Sequence, residues 1–342
     1  MSESKAMILG CSGLELTREE RGFFAEHRPW GFILFARNVS ERQQLSDLVE
    51  ALRDCIGRPD APVLIDQEGG RVQRIKPPLA AAYPPASSIG ELFEANREDG
   101  LRCAWLMGRL HAFDLAAFGI NVNCLPVLDV PVRGVHDVIG NRAFCEDPQA
   151  VTLLGKAVME GLTAGGVLPV IKHMPGHGRT MVDSHLSLPV VDATLEELRA
   201  SDFAPFAALA DAPMAMTAHI VFKAIDPENP ATSSAQIIAE IIRQEFGFSG
   251  LLMSDDVSME ALSGSLTERA QAIFAAGCDI VLHCNGILSE MEEISLNTPR
   301  LEGAALQRTD WVMSLFGTVD NENENAFRAE FDGLIAGGLP VS

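Results

Sequence analysis

Residues 167–173 read Val-Leu-Pro-Val-Ile-Lys-His, an apolar run that ends in a lysine and a histidine. A strand with one wet face alternates apolar and polar residues, whereas a run that is apolar throughout fits a parallel strand buried on both faces. The same character recurs in Gly31–Arg37 (GFILFAR), Pro62–Asp66 (PVLID), Val122–Val127 (VNCLPV), Met214–Ile220 (MAMTAHI), Gly250–Asp255 (GLLMSD) and Asp279–Cys284 (DIVLHC). These are seven inner strand candidates, and no eighth is placed; Ala6–Leu9 is a short additional strand candidate.

Between the runs, the stretches Glu41–Ile56, Leu101–Phe118, Pro148–Ala164, Leu195–Leu209, Ser234–Phe246 and Leu266–Ala276 are predicted as helices. Thr194 with Glu197, and Ser233 ahead of a run of isoleucines, supply start signals. Strand–helix units repeated along most of the chain favour a (β/α) barrel over an open doubly wound sheet. The expected fold is α/β: a single-domain TIM-type (β/α)8 barrel over residues 1–342, with an irregular or distorted strand order allowed. A polar linker at Asp320–Asn325 and a helix near Ala326–Ala336 are expected in a C-terminal extension around residues 318–342.

In such a barrel the chemistry sits just beyond the C-terminal ends of the strands. Asp66 ends PVLID and opens DQEGGRVQR. Asp129 follows VNCLPV, Lys172 and His173 end VLPVIKH, His219 ends MAMTAH, and Asp255 and Asp256 end GLLMSDD. Charge delivered to one rim by several strands is hard to explain as packing. Two adjacent acids at a strand end point to opposite faces, so Asp255 is expected in the barrel mouth and Asp256 is expected as a cap or backbone acceptor.

Lys172–His185 (KHMPGHGRTMVDSH) holds three of the eight histidines. Pro175, Gly176 and Gly178 exclude regular structure and suggest a loop able to move. Asp183 and His185 are two apart and share a side in extended backbone, where the carboxylate fixes the imidazole tautomer and supports proton transfer near neutral pH. One Asp-x-His alone is more often a loop tie. The remote carboxylates and the strand-end cations shift the balance to catalysis. Asp66, Arg74, Arg142, Lys172 and His173 are the residue types that hold sugar hydroxyls by charge-assisted hydrogen bonds, although a surface ion pair is an equal reading of Arg74 and Arg142.

The 342 residues are 47% hydrophobic and 21% charged, an ordinary globular balance. A net charge of −21 disfavours nucleic acid and anionic membranes as partners. Seven cysteines, an odd number with no CxxC, suggest free thiols in a reducing compartment. The N-terminal apolar run is too short for a secretory leader and no stretch is long enough for a membrane span, so a cytoplasmic location is expected.

The segments LFARN (34–38), DQEGGRVQR (66–74), PVLDV (126–130), GNRAF (140–144), KHMPGHG (172–178), DSH (183–185), MTAH (216–219) and SDDVSM (254–259) resemble glycoside hydrolase family 3, most closely the bacterial β-N-acetylglucosaminidases of peptidoglycan recycling. Met174 stands where phenylalanine is usual and Asn141 where aspartate is common. The resemblance implies a retaining, cofactor- and metal-free exo-enzyme, monomeric or weakly dimeric. It would remove terminal β-linked N-acetylglucosamine from cytoplasmic muropeptides containing 1,6-anhydro-N-acetylmuramic acid. It further implies Asp255 as nucleophile, His185 as general acid/base supported by Asp183, and Asp66, Arg74, Arg142, Lys172 and His173 as substrate-binding residues.

Alternatives remain at this stage. A β-glucosidase, or a phosphorylase exploiting a neutral histidine beside a phosphate donor, fits the same motifs. A metal-dependent barrel hydrolase would use His173, His177, His185 and Asp183 as ligands, but Pro175 and Gly176 deny the first two a helical spacing and Asp255 is left without a role. A sugar-binding protein on a degenerate scaffold would lack the nucleophile or the acid/base, and would call for more than 6% aromatic residues for stacking.

Overall fold

The computed structural model describes residues 3–132, 139–180, 188–317 and 322–338. Eight parallel strands close into a barrel: β1 Lys5–Leu9, β2 Pro29–Leu34, β3 Val63–Ile65, β4 Val122–Asn123, β5 Leu168–Met174, β6 Met214–Thr217, β7 Leu251–Asp256 and β8 Ile280–His283. The short N-terminal candidate is the eighth strand, and it closes the ring by pairing with β8 (Met7 with Val281, Leu9 with His283). The strands follow one another around the barrel in chain order, so the irregular order allowed for above does not occur. Each crossover returns the chain to the adjacent slot, the usual outcome of right-handed βαβ units. Irregularity is confined to register, with shifts between Lys5 and Ile8, Ile171 and Met174, and Met253 and Asp256.

Both faces of the strands are buried, which is why they read as continuous apolar runs. In β1, Ala6 and Ile8 turn inward to a cluster with Leu64, Val170 and Met214, whereas Met7 and Leu9 turn outward to Phe24 and Leu48 on the helices. Trp30, at the start of β2, joins the inner cluster with Leu301 and Val312 and fills the end of the barrel opposite the strands' C-termini.

The helices Arg42–Ile56, Arg97–Ala116, Pro148–Ala164 and Leu266–Ala276 lie where the periodicity predicts them. The predicted helix Leu195–Leu209 is instead two short ones, Leu195–Ala200 and Ala204–Ala208. Pro205 has no N–H to continue the first, so it fits only at the start of the second. The isoleucine run forms a π-helix, Ile237–Glu245, and it is Ser234 rather than Ser233 whose hydroxyl accepts the N–H of Ile237, at 3.1 Å. Arg18–His27, Ala86–Ala95, Leu288–Asn297 and Gly303–Ser314 are helices that the sequence reading did not place.

Glu324–Gly338 forms the C-terminal helix and docks on Arg97–Ala116. Arg102 grips Glu330 through two hydrogen bonds of 2.7 and 2.8 Å, Phe327 meets Trp105 edge to face, and Arg328 reaches Asp114 at 2.5 Å. The seven cysteines are unpaired. No helix among the described residues is long and apolar enough to cross a membrane.

Candidate active site

The C-terminal ends of the strands surround a cavity of about 190 Å³ whose lining includes Asp66, Arg74, Arg142, Lys172, His173, Asp255 and Asp256, with Phe35, Met216 and Met259 among its apolar walls. A larger cleft, about 430 Å³, lies beside Pro230 and Arg269. Its lining has Glu228, Glu268 and Arg269 but no imidazole and no lysine, so the chemistry marks the smaller one. Six of the eight predicted site residues therefore share one space. The other two, Asp183 and His185, lie outside the described residues.

The wall formed after β3 is a lattice of opposite charges. Asp66 accepts from Lys172 Nζ at 2.8 Å through Oδ1 and from Arg74 Nη2 at 3.2 Å through Oδ2. Lys172 Nζ also lies 2.6 Å from Glu68 Oε1. Arg142 donates Nε and Nη2 to the same Glu68 carboxylate, each at 2.8 Å. A tight hairpin, Gln67–Gly69 against Val72–Gln73, folds Arg74 back beside Asp66. Buried Gln67 staples it: its Oε1 accepts the N–H groups of Arg74 and Ile75, and its Nε2 donates to the Ile75 carbonyl.

Burial opposes charge on Asp66, Glu68, Arg142 and Lys172, yet the pairing wins. Lys172 is held above its ordinary value by Asp66 and Glu68 against desolvation. Burial raises the Asp66 carboxyl, but Lys172 and Arg74 bring it well below the usual range. Glu68, likewise desolvated, is brought down to about 2 by Lys172 and Arg142.

His173 is fixed by Asp129, which the sequence marked as a strand-end acid but did not assign to the site. Asp129 Oδ2 lies 2.7 Å from His173 Nδ1, and Oδ1 accepts the backbone N–H groups of His173 at 3.2 Å and of His177 at 2.7 Å. A carboxylate only accepts, so the proton of neutral His173 sits on Nδ1. His177 is buried, its Nδ1 is 3.0 Å from the Thr180 hydroxyl, and desolvation followed by the nearby His173 drops its pKa to about 4. The Nδ1 atoms of both histidines are thus committed to protein partners. Among the described residues, no three His, Cys, Asp or Glu side chains form a metal-ligand cluster.

The first half of the predicted mobile loop is not free. Residues 174–178 and Thr180 are buried. A Cβ on Gly178 would lie 1.8 Å from the Val130 carbonyl, so this glycine serves close packing rather than flexibility. Gly176, at φ 144°, packs on Asp202, whose carboxylate accepts from Arg179 Nε at 2.6 Å.

Asp255 and Asp256 both border the cavity, contrary to the expectation that only one would. The register shift between Met253 and Asp256 breaks strict alternation at this strand end. Their surroundings nevertheless separate them. Asp256 Oδ1 accepts the N–H groups of Ser258 and Cys284, and Oδ2 accepts the Ser258 hydroxyl. Asp255 accepts the N–H of Asp256 at 2.8 Å. Burial penalises its charge, but His219 and His173, that N–H and Lys172 together leave the carboxyl below its ordinary value. Desolvation lowers the pKa of His219, whose Nε2 donates to the Asp256 carbonyl at 3.0 Å.

A closed parallel barrel whose strand ends gather Asp255, Lys172 and His173 around a polar cavity is compatible with a glycoside hydrolase, the class that its relatives show. Residues 3–305 match the glycosyl hydrolase family 3 N-terminal domain, and the chain belongs to that family. It is 39% identical over 306 residues to a β-hexosaminidase of Stenotrophomonas maltophilia, covering 87% of this chain and 90% of the relative. A β-hexosaminidase of Bordetella parapertussis is 38% identical over 283 residues, covering 82% and 79% respectively. The crystal structure of NagZ from Neisseria gonorrhoeae in complex with N-trifluoroacetyl-D-glucosamine superposes with a TM-score of 0.87 at 32% identity, covering 98% of this chain and 99% of that one.

Proposed function

We propose that the chain is a retaining exo-β-N-acetylglucosaminidase that removes terminal N-acetylglucosamine from cytoplasmic muropeptides during peptidoglycan recycling. The observation that carries this reading is Asp255: an anionic carboxylate at the end of β7, facing a cavity walled by Asp66, Arg74, Arg142, Lys172 and His173. A cavity of about 190 Å³ is smaller than the usual drug-sized pocket and suits one sugar unit, in keeping with exo action. The named activity and ligand of the relatives supply the N-acetylhexosamine preference.

In the proposed double displacement, an Asp255 carboxylate oxygen bonds to the anomeric carbon as the bond to the aglycone oxygen breaks, and that oxygen takes a proton. Water then attacks the anomeric carbon, displaces Asp255 and yields its proton to the same acid/base group, so the β configuration is retained. Many retaining enzymes use a second carboxylate as the acid. Here Asp66 is locked as an anion by two cations, and the oxygens of Asp256 are taken by three donors. The proton source is therefore sought elsewhere, and the motif Asp183-Ser184-His185 supplies it in this reading, with Asp183 supporting His185.

Aryl β-glycosides test the function. The N-acetylglucosaminide should be cleaved far faster than the glucoside, giving free N-acetylglucosamine with or without phosphate. N-acetylglucosamine 1-phosphate as the main product would replace hydrolysis with phosphorolysis. Equal cleavage of the glucoside would remove the N-acetyl preference.

A further inference from the structure

We propose that Glu68 is a positioning residue for the reaction: a buried carboxylate that fixes Lys172 and Arg142 side by side as sugar-facing donors and balances their charge. The proposal rests on the reading of those two cations as substrate-binding groups.

Lys172 and Arg142 come from β5 and from the turn Gly140–Arg142, and without an anion between them they would repel. Glu68 Oε1 is shared between Lys172 Nζ at 2.6 Å and Arg142 Nη2 at 2.8 Å, while Oε2 takes Arg142 Nε at 2.8 Å. A two-point grip on a planar guanidinium sets its orientation as well as its place. Both cations border the cavity, and Glu68, 4% exposed, stands behind them. The strand that carries it cannot drift, because Gln67 is tied to β4 at both ends of its peptide: Gln67 N–H donates to Asn123 Oδ1 and Asn123 Nδ2 donates to the Gln67 carbonyl. With Glu68 behind them, Lys172 and Arg142 present their remaining donors to the cavity that Asp66, Arg74 and Asp255 also line.

Kinetics of E68Q, E68D, R142A and the double variant E68Q/R142A on an aryl N-acetylglucosaminide, with melting curves as a folding control, test this. E68Q should lose about tenfold or more in kcat/KM, chiefly through KM, as expected when uniform binding is removed. Losing a negative charge also eases ionisation of Asp255, so the acid limb of the pH profile should move to lower pH. E68D keeps the charge but falls one methylene short, so it should raise KM and leave the acid limb in place. In the R142A background the E68Q effect should shrink by at least half on a logarithmic scale, because the two residues act as a unit.

If E68Q does not fold, the KM and acid limb of E68D carry the test alone. A wild-type KM in E68Q or E68D, or an E68Q loss that is fully additive with R142A and leaves the acid limb unmoved, overturns the inference. A damaged R142A beside an intact E68Q sinks this inference alone. A wild-type R142A would sink the reading of the site together with it.

Discussion

Asp129 holds His173 by side chain and backbone at once, with Oδ2 at 2.7 Å from the imidazole Nδ1 and Oδ1 at 3.2 Å from the same residue's N–H. Asp129→Asn keeps the shape but presents an amide donor or a neutral acceptor to Nδ1. The imidazole then loses its charged anchor, and its other nitrogen can turn from acceptor to donor. The expected result is a loss of about 100-fold in kcat/KM with a far smaller change in melting temperature, by analogy with tautomer loss in other His–Asp pairs. A variant within twofold of wild type would show that the His173 tautomer is immaterial.

The carboxyls of Asp66, Glu68, Asp129 and Asp255 are all depressed in the folded state. Each therefore contributes stability that is present above its unfolded pKa and lost as pH falls through its folded one. Buried His177, lowered to about 4, and the desolvated His111 and His219 take up protons later than in the unfolded chain, so unfolding free energy should already decline below about pH 6.5; with Glu68 dropping from 4.5 to about 2, it should fall more steeply between about pH 4.5 and 2. The activity limb governed by Asp255 should lie below its ordinary 3.8 wherever the protein stays folded. Urea titrations and kcat/KM across this range check both signs.

Gly178→Ala would drive a Cβ to 1.8 Å from the Val130 carbonyl. The segment must move, at a cost of about 1–3 kcal/mol in stability. Because the same segment leads to Asp183 and His185, activity should fall by more than stability loss alone explains. Comparing kcat with the melting curve at a temperature where the variant is folded separates the two effects.

Arg328→Ala leaves Asp114, whose side chain is 7% exposed, with the Tyr83 hydroxyl at 2.6 Å in place of a cation. A cost of about 2 kcal/mol is expected, below the range for a fully buried pair because the guanidinium is partly solvated. Denaturant unfolding should show it. The C-terminal helix lies away from the cavity, so kcat/KM at 25 °C should be unchanged.

Much of the barrel was legible in its strands because burial on both faces writes itself as unbroken apolar runs. β1 was the weakest signal, being short and opened by Lys5. Periodicity over Leu195–Leu209 does not register the break at Pro205, and Gly303–Ser314 carries no strong apolar stripe by which the sequence could announce it. Five site residues could be gathered from strand ends and the DQEGGRVQR segment; Arg142, on the turn Gly140–Arg142, offers only its residue type and the resemblance of GNRAF. Glu68 stood in that segment unassigned, since nothing local distinguishes a carboxylate that meets Arg142, 74 residues away, from one facing solvent. Asp129 was visible as a strand-end acid, but its grip on His173 depends on β4 and β5 being neighbours. The paired border of Asp255 and Asp256 depended on a register shift, and the packing role of Gly178 depended on Val130. Both are tertiary facts.

The role of Asp255 is the centre of the account, and covalent trapping addresses it most directly. Incubation with a 2-deoxy-2-fluoro or 5-fluoro glycosyl fluoride, followed by peptide mass spectrometry, should place one glycosyl adduct on the peptide carrying Asp255, and Asp255→Ala should abolish it. An adduct on any other residue, or turnover of the reagent with no adduct at all, would contradict the account.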